Sequence, residues 1–240
     1  MSGALEGQLV VVLGGSAGIG LETARAARGE GAEVILTGRN AERLEAAAAD
    51  VAAQSTAAFD AGDPAALGEF FGGLTVGVDQ ILVTAGRPTY AQLADMSAAD
   101  VRNVVSDHIA LTLEVARHVP AHMRPGGCLI LLGGTGGRSP RAPSTVAAVT
   151  AAMPALTRSL GLELAPVRVN LIAPGFVDTP LSAELLGDDL DQRRDELART
   201  LPIRRVVGPA DVAALAVHLM TNTALTGATF DIDGGQQLLD

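Results

Sequence analysis

A chain of 240 residues with 48% hydrophobic, 2% aromatic and 18% charged side chains has the apolar content for one aliphatic core and is not a disordered segment. Its net charge of −10, with no basic block, argues against nucleic acid or an anionic membrane as a partner. Cys128 is the only cysteine, so an internal disulfide and a cysteine metal cluster are excluded, and its place in the apolar run from Cys128 to Leu132 predicts a small core residue.

Short aliphatic runs alternate with helical patterns along the whole chain. Strands are expected at Leu9–Leu13, Glu33–Thr37, Thr56–Phe59, Gln80–Thr84, Cys128–Leu132, Val167–Leu171 and Ala228–Ile232. Each is a continuous run rather than an alternating one, as strands covered on both faces should be. Helices are expected at Ile19–Glu30, Ala41–Ala53, Pro64–Phe71, Ala98–His118, Thr145–Glu163 and Pro209–Met220. That order predicts one α/β domain over residues 1–240, a Rossmann-type doubly wound parallel sheet of seven strands flanked by helices. Residues 181–205 break the rhythm with a dense mixture of acids and arginines. They read either as a solvated helical face or as a lid-like insertion over a substrate pocket, since ligands bind on this side of such sheets. Met1 to Glu6 lacks the regions of a signal peptide and no apolar run approaches the ~18 residues of a membrane span, so a soluble, cytoplasmic protein without a membrane partner is expected.

After the first strand comes Leu13-Gly14-Gly15-Ser16-Ala17-Gly18-Ile19-Gly20, followed directly by a helix. Gly14, Gly18 and Gly20 allow a tight turn, bring backbone N–H groups to a pyrophosphate and let the helix pack close to the strand. This spacing resembles the short-chain dehydrogenase/reductase family. The resemblance extends over nearly the whole chain through Asp60, similar to the family's adenine-contacting acid, and Ala85-Gly86, similar to the end of its Asn-Asn-Ala-Gly. Arg168-Val169-Asn170 with Pro174-Gly175-Phe176-Val177-Asp178-Thr179 resembles its loop beside the nicotinamide, and Asp231-Ile232-Asp233-Gly234-Gly235 its closing strand. By resemblance a homotetramer or homodimer is expected. At the end of the second strand, Gly38 has no side chain and Arg39 offers a guanidinium to a 2′-phosphate, which favours NADP(H) over NAD(H).

The family's chemistry, as the resemblance implies it, uses a serine, a tyrosine, a lysine four residues beyond it, and an asparagine. All 17 basic residues here are arginine, and Tyr90, the only tyrosine, is followed four residues on by Ala94, so no Tyr-x-x-x-Lys pair exists. Alignment puts Gly134 at the serine, Val146 at the tyrosine, Thr150 at the lysine and His108 at the asparagine. Substitute groups are sought among His108 and Tyr90 as acids, with Thr135 and Thr150 as hydroxyl donors to a developing charge. Arg138 and Arg141 read equally as binders of an anionic substrate or as solvated charge. Two functions follow. One is an oxidoreductase with an atypical site, reducing a small carbonyl, imine or iminium, or activated alkene; the other is a catalytically silent NADP(H)-binding regulatory or structural protein.

Overall fold

The computed structural model describes residues 3–86 and 88–239, and for Val105 and Ser106 the backbone only. Met1 and Ser2 of the N-terminal stretch, together with Arg87 and Asp240, lie outside the described residues. Among the described residues seven strands form one sheet: β1 (Leu9–Leu13), β2 (Glu33–Gly38), β3 (Ser55–Ala58), β4 (Val78–Val83), β5 (Met123–Leu132), β6 (Arg168–Pro174) and β7 (Thr229–Ile232). They run parallel in the order β3-β2-β1-β4-β5-β6-β7. The helices between them are α1 (Gly18–Gly29), α2 (Ala41–Val51), α3 (Pro64–Gly72), α4 (Ala98–His122), α5 (Ser144–Glu163), α6 (Pro180–Leu186), α7 (Leu190–Thr200) and α8 (Pro209–Thr221).

The twofold period of a strand sorts the core into two layers. In β1, Leu9, Val11 and Leu13 face one layer with Phe71 of α3, Val115 of α4 and Met153 of α5. Val10 and Val12 face the other, where Ala24 and Ala27 of α1 meet Leu44 of α2 and Ala216 and Leu219 of α8. All five β1 residues are buried, which explains why the run is uninterrupted. Helix α1 packs along α8, joining the two ends of the sequence.

Continuous burial was expected of every strand, and the two edges depart from it. In β3, Ser55, Thr56 and Ala58 are exposed, and in β7 Asp231 is exposed. An edge strand has a neighbour on one side only, so its faces receive less cover. Helix α4 and strand β5 also meet directly at His122 and Met123, four residues beyond the expected helix end, with Pro120 inside the last turn.

Arg168, read from the sequence only as part of a motif, is 7% exposed. Its guanidinium donates to the carbonyls of Leu219 (2.7 Å) and Met220 (2.9 Å), with longer bonds to Asn222 and Leu225. It therefore caps the C-terminal end of α8, where unpaired carbonyls and the negative end of the helix dipole favour a cation. Asn170, fully buried, accepts from Ala228 N–H and donates to the Leu225 carbonyl (2.9 Å), tying the turn before β7 to β6.

Candidate active site

Because β1 and β4 are neighbours while the chain winds outward from them in opposite directions, a crevice opens beyond their C-terminal ends. It is a cleft of about 1210 Å³, reached by loops from β1, β2, β4, β5 and β6. The glycine loop forms its floor. Gly14 has φ +97°, and a methyl group there would lie 2.7 Å from Thr84 Oγ1 and 2.8 Å from Ala85 N. Thr84, standing where the family has an asparagine, places its hydroxyl 3.0 Å from the carbonyl oxygens of both Leu13 and Gly14 and so pins the loop to β4. Gly18 has φ +54° and opens α1, whose first turn has no side-chain cap. Its backbone N–H groups are thus left to an anion, as a pyrophosphate requires. Gly20 does not line the cleft; its hydrogen faces Thr84 and the Gly14 carbonyl, and its part is to let α1 approach β1.

At one end of the cleft stand Ser16, Gly38, Arg39 and Asp60. A methyl group on Gly38 would lie 3.2 Å from Ser16 Oγ, so the missing side chain keeps the serine open. Arg39 is exposed. Arg43 also lines the cleft. Asn40 caps α2 by accepting from Arg43 N–H (2.8 Å), which sets Arg43 in the first turn of that helix. Its spacing from Arg39 was the available signal. Asp60 Oδ1 accepts from Gly62 N–H (3.0 Å) beside Phe59, another cleft residue.

Three of the four positions aligned with the family's catalytic group, Gly134, Val146 and Thr150, are in contact. A methyl group on Gly134 would lie 3.3 Å from Thr150 Cγ2, and one on Gly136 would lie 3.1 Å from Val146 Cγ1. His108 of α4 lines the same cleft, with Nε2 3.0 Å from the carbonyl oxygen of Leu132 at the end of β5. A carbonyl only accepts, so Nε2 carries the proton and Nδ1 the lone pair. Burial holds the His108 pKa below its ordinary value against the opposing effect of that hydrogen bond. In the neutral form its one N–H is held by the Leu132 carbonyl.

The other candidates divide. Thr150 donates to the Val146 carbonyl (2.7 Å) within its own helix. Thr135 is 9% exposed, donates its N–H to the Pro174 carbonyl (3.1 Å), and its hydroxyl makes no hydrogen bond among the described residues. Tyr90 lines the cleft but is 55% exposed; desolvation raises its phenol pKa, and the wet half of the ring limits that push. Arg138 has a partner at the end of the sheet. It forms a two-pronged pair with Asp231 of β7, one bond being 2.8 Å, and Gln237 joins the same carboxylate. Burial alone would raise the Asp231 pKa, and Arg138 and Gln237 outweigh it to hold the carboxyl below its usual range. Arg141 lines the cleft.

Pro174, Gly175, Val177 and Thr179 form the far wall, with Ile19, Ala85 and Gly86 across from them. Gly175 is packed so tightly on the C-terminal tail that a methyl group would lie 2.7 Å from Asp233 Cβ and from Gln236 Oε1. Gln236 Oε1 accepts from Phe176 N–H (2.9 Å), and Asp233 folds the tail back by accepting from Gly235 and Gln237 N–H. Nothing in the sequence pointed to Gln236. Residues 181–205 hold α6 and α7, and Leu181, Leu185, Leu186 and Arg193 line the cleft. Arg194 of α7 grips Asp178 through two bonds of 3.0 and 2.8 Å.

Comparison with known proteins agrees with this geometry. The family model described as enoyl-(acyl carrier protein) reductase matches residues 14–237. An uncharacterised oxidoreductase of Mycobacterium tuberculosis is 31% identical over 247 residues, spanning 96% of this chain and 92% of the relative. A solved structure of a short-chain dehydrogenase/reductase family protein superposes with a TM-score of 0.84 at 31% identity, covering 99% of this chain and 100% of the other. A small-chain dehydrogenase solved in complex with NADPH gives a TM-score of 0.81 at 27% identity, covering 96% and 99%. With its glycine loop, its sheet order and its match along almost the entire length, the chain belongs to the short-chain dehydrogenase/reductase family.

Proposed function

We propose that the chain binds NADP(H) along the cleft and exchanges hydride with a small carbonyl, imine or iminium, or activated alkene, using a site without the Tyr-x-x-x-Lys pair. The observation that carries the choice of cofactor is the pair of guanidinium groups, Arg39 and Arg43, beside Ser16 and the bare Gly38. Two arginines and the N-terminus of α2 make a favourable place for a dianionic phosphate, and a side-chain carboxylate to hold ribose hydroxyls is missing from Gly38. Ser16, Ile19, Asp60, Ala85, Gly86, Pro174, Gly175, Val177 and Thr179 would hold the rest of the dinucleotide. When bound, the nicotinamide supplies the hydride chemistry; the protein orients it and excludes water. Helices α6 and α7 serve as the lid, held to the far wall by Arg194 and Asp178.

Calorimetric titration with NADPH and NADH tests the cofactor. Tighter binding of NADPH, with a loss of about tenfold or more in Arg39→Ala/Arg43→Ala and little change for NADH, is the expected result. Equal affinity for both nucleotides would sink it. A panel of ketones, enones and cyclic imines with NADPH then tests turnover. The second reading, a silent NADP(H)-binding regulator, is favoured by one observation: Gly134 and Val146 bring no polar side chain to the catalytic wall, and Thr150 spends its proton on the Val146 carbonyl. Nucleotide binding with no turnover in either direction, on that panel with NADPH or on secondary alcohols with NADP⁺, would support it.

A further inference from the structure

We propose that His108 is a catalytic base for oxidation of a secondary alcohol, so that this site runs at neutral pH as a dehydrogenase; this rests on the NADP(H)-binding reading above. Three observations on the ring converge. Its Nε2–H is committed to the Leu132 carbonyl at 3.0 Å, which fixes a single tautomer and the ring's orientation. Its Nδ1 has no hydrogen-bond partner among the described residues, and His108 lines the cleft. Gly86, another cleft residue, lies close to it: a methyl group there would stand 3.5 Å from Nδ1, in ordinary van der Waals contact. A further hydrogen bond, from Thr112 Oγ1 to the His108 carbonyl (2.9 Å), fixes the backbone one turn along α4.

The step balances without any group beyond the bound NADP⁺. The alcohol O–H bond breaks and its proton forms a bond to Nδ1. The carbinol C–H bond breaks with its electron pair, which is delivered as hydride to the oxidised nicotinamide, and the C=O bond forms. Nε2–H stays on the Leu132 carbonyl and becomes a charge-assisted hydrogen bond as the imidazolium forms, a stronger bond than the neutral one. The Nδ1 proton then leaves to water in the cleft. Ketone reduction would need the imidazolium at the outset, and burial disfavours that form. No other candidate offers a comparable lone pair, since Tyr90 lies at the exposed mouth with its phenol pKa raised. The other titratable groups on the neighbouring cleft wall are Asp107 and Glu114 of α4, Arg141 of the loop after β5 and Arg193 of α7; α5 contributes none.

The test uses the whole chain with NADP⁺ and a panel of secondary alcohols, beside His108→Ala and His108→Gln. The glutamine keeps an amide donor for the Leu132 carbonyl while removing the basic nitrogen, so it separates structure from chemistry. Nitrogen-15 spectra of the imidazoles, assigned with His108→Gln, are expected to show the Nε2–H tautomer at His108. Both variants should bind NADP⁺ like the parent yet lose about 10²–10⁴-fold in kcat, with partial recovery of His108→Ala in imidazole buffer. Oxidation should hold through pH 7 and fall as pH drops through a value below about 6.5, the ordinary histidine pKa. Unchanged kcat in His108→Gln, an Nδ1–H tautomer, or turnover of imines or enones with none of alcohols overturns the inference and leaves NADP(H) binding standing. Failure of the parent to bind NADP⁺ overturns the reading beneath it as well.

Discussion

The same substitution in two turns of one helix should change stability in opposite directions. A methyl group on Gly20 would lie 2.7 Å from Thr84 Oγ1 and closer still to the Gly14 carbonyl oxygen, whereas one on Gly29, the last residue of α1, would meet nothing within 4 Å. Neither glycine has positive φ. Alanine is the better helix former by about 0.8–1 kcal/mol, so Gly29→Ala should gain about 0.5–1 kcal/mol. Gly20→Ala gains the same preference, but overpacking costs about 1–3 kcal/mol, and here the obstacle is backbone rather than a side chain that can rotate away. The net expectation for Gly20→Ala is a loss of about 1–2 kcal/mol. At about 2–4 °C per kcal/mol for a chain of this size, Tm should fall by roughly 2–8 °C in one variant and rise by roughly 1–4 °C in the other. Thermal unfolding by circular dichroism reads both. Because relief requires α1 to move away from the phosphate cradle, NADPH affinity should drop about tenfold or more in Gly20→Ala only. A Gly20→Ala protein as stable as the parent, with unchanged nucleotide binding, would refute the claim that this glycine is required by helix-to-strand packing.

Two further expectations concern the frame around the cleft. Arg168→Met keeps most of the volume but leaves the carbonyls at the end of α8 without their donor; with hydrogen bonds to a charged group contributing about 1.5–3 kcal/mol, urea unfolding should show a loss of about 3 kcal/mol, and an unchanged midpoint would contradict the capping role. Arg205 grips Asp211 at the start of α8, with one bond of 2.7 Å, and this together with the Gly208 N–H lowers the Asp211 pKa below its usual value of 3.8 against the effect of burial. A depressed carboxyl contributes stability that is fully present above about pH 4 and is lost as pH falls through the lower folded value. Asp211→Asn should therefore unfold at lower urea concentration at pH 7 and lose less on acidification from pH 5 to pH 2; parallel acid curves for the two proteins would rule this out.

The cofactor half of the cleft was legible because its requirements are imposed on the backbone. Gly14 needs φ +97° and Gly20 needs contact with a carbonyl, and only glycine meets both demands, so the residue type declares the geometry. Arg43 was harder to see, since an arginine on an exposed helix turn has the same letter whether it faces water or a cleft. The proton-handling half was legible only as a deficit. What His108 does depends on the Leu132 carbonyl, 24 residues away on a strand end, and a backbone acceptor carries no side-chain signature. The partner of Arg138 was hidden for a related reason. Asp231 is 93 residues distant, and only the docking of β7 on β6 brings the carboxylate to it.

The packing of α1 along α8 bears on how the protein is made. Thr23, Ala24 and Ala27 of the first helix are buried in the layer completed by Val212, Ala216 and Leu219, residues that leave the ribosome long after α1. During synthesis the nucleotide-binding loop can fold locally, but the apolar flank of its helix waits for nearly the whole chain to emerge. Such late long-range closure slows folding and exposes hydrophobic surface meanwhile. A nascent chain halted before α8 would carry the complete glycine motif and still present that flank to chaperones, so the motif that announces this fold in sequence belongs to one of the last parts of the molecule to become stable.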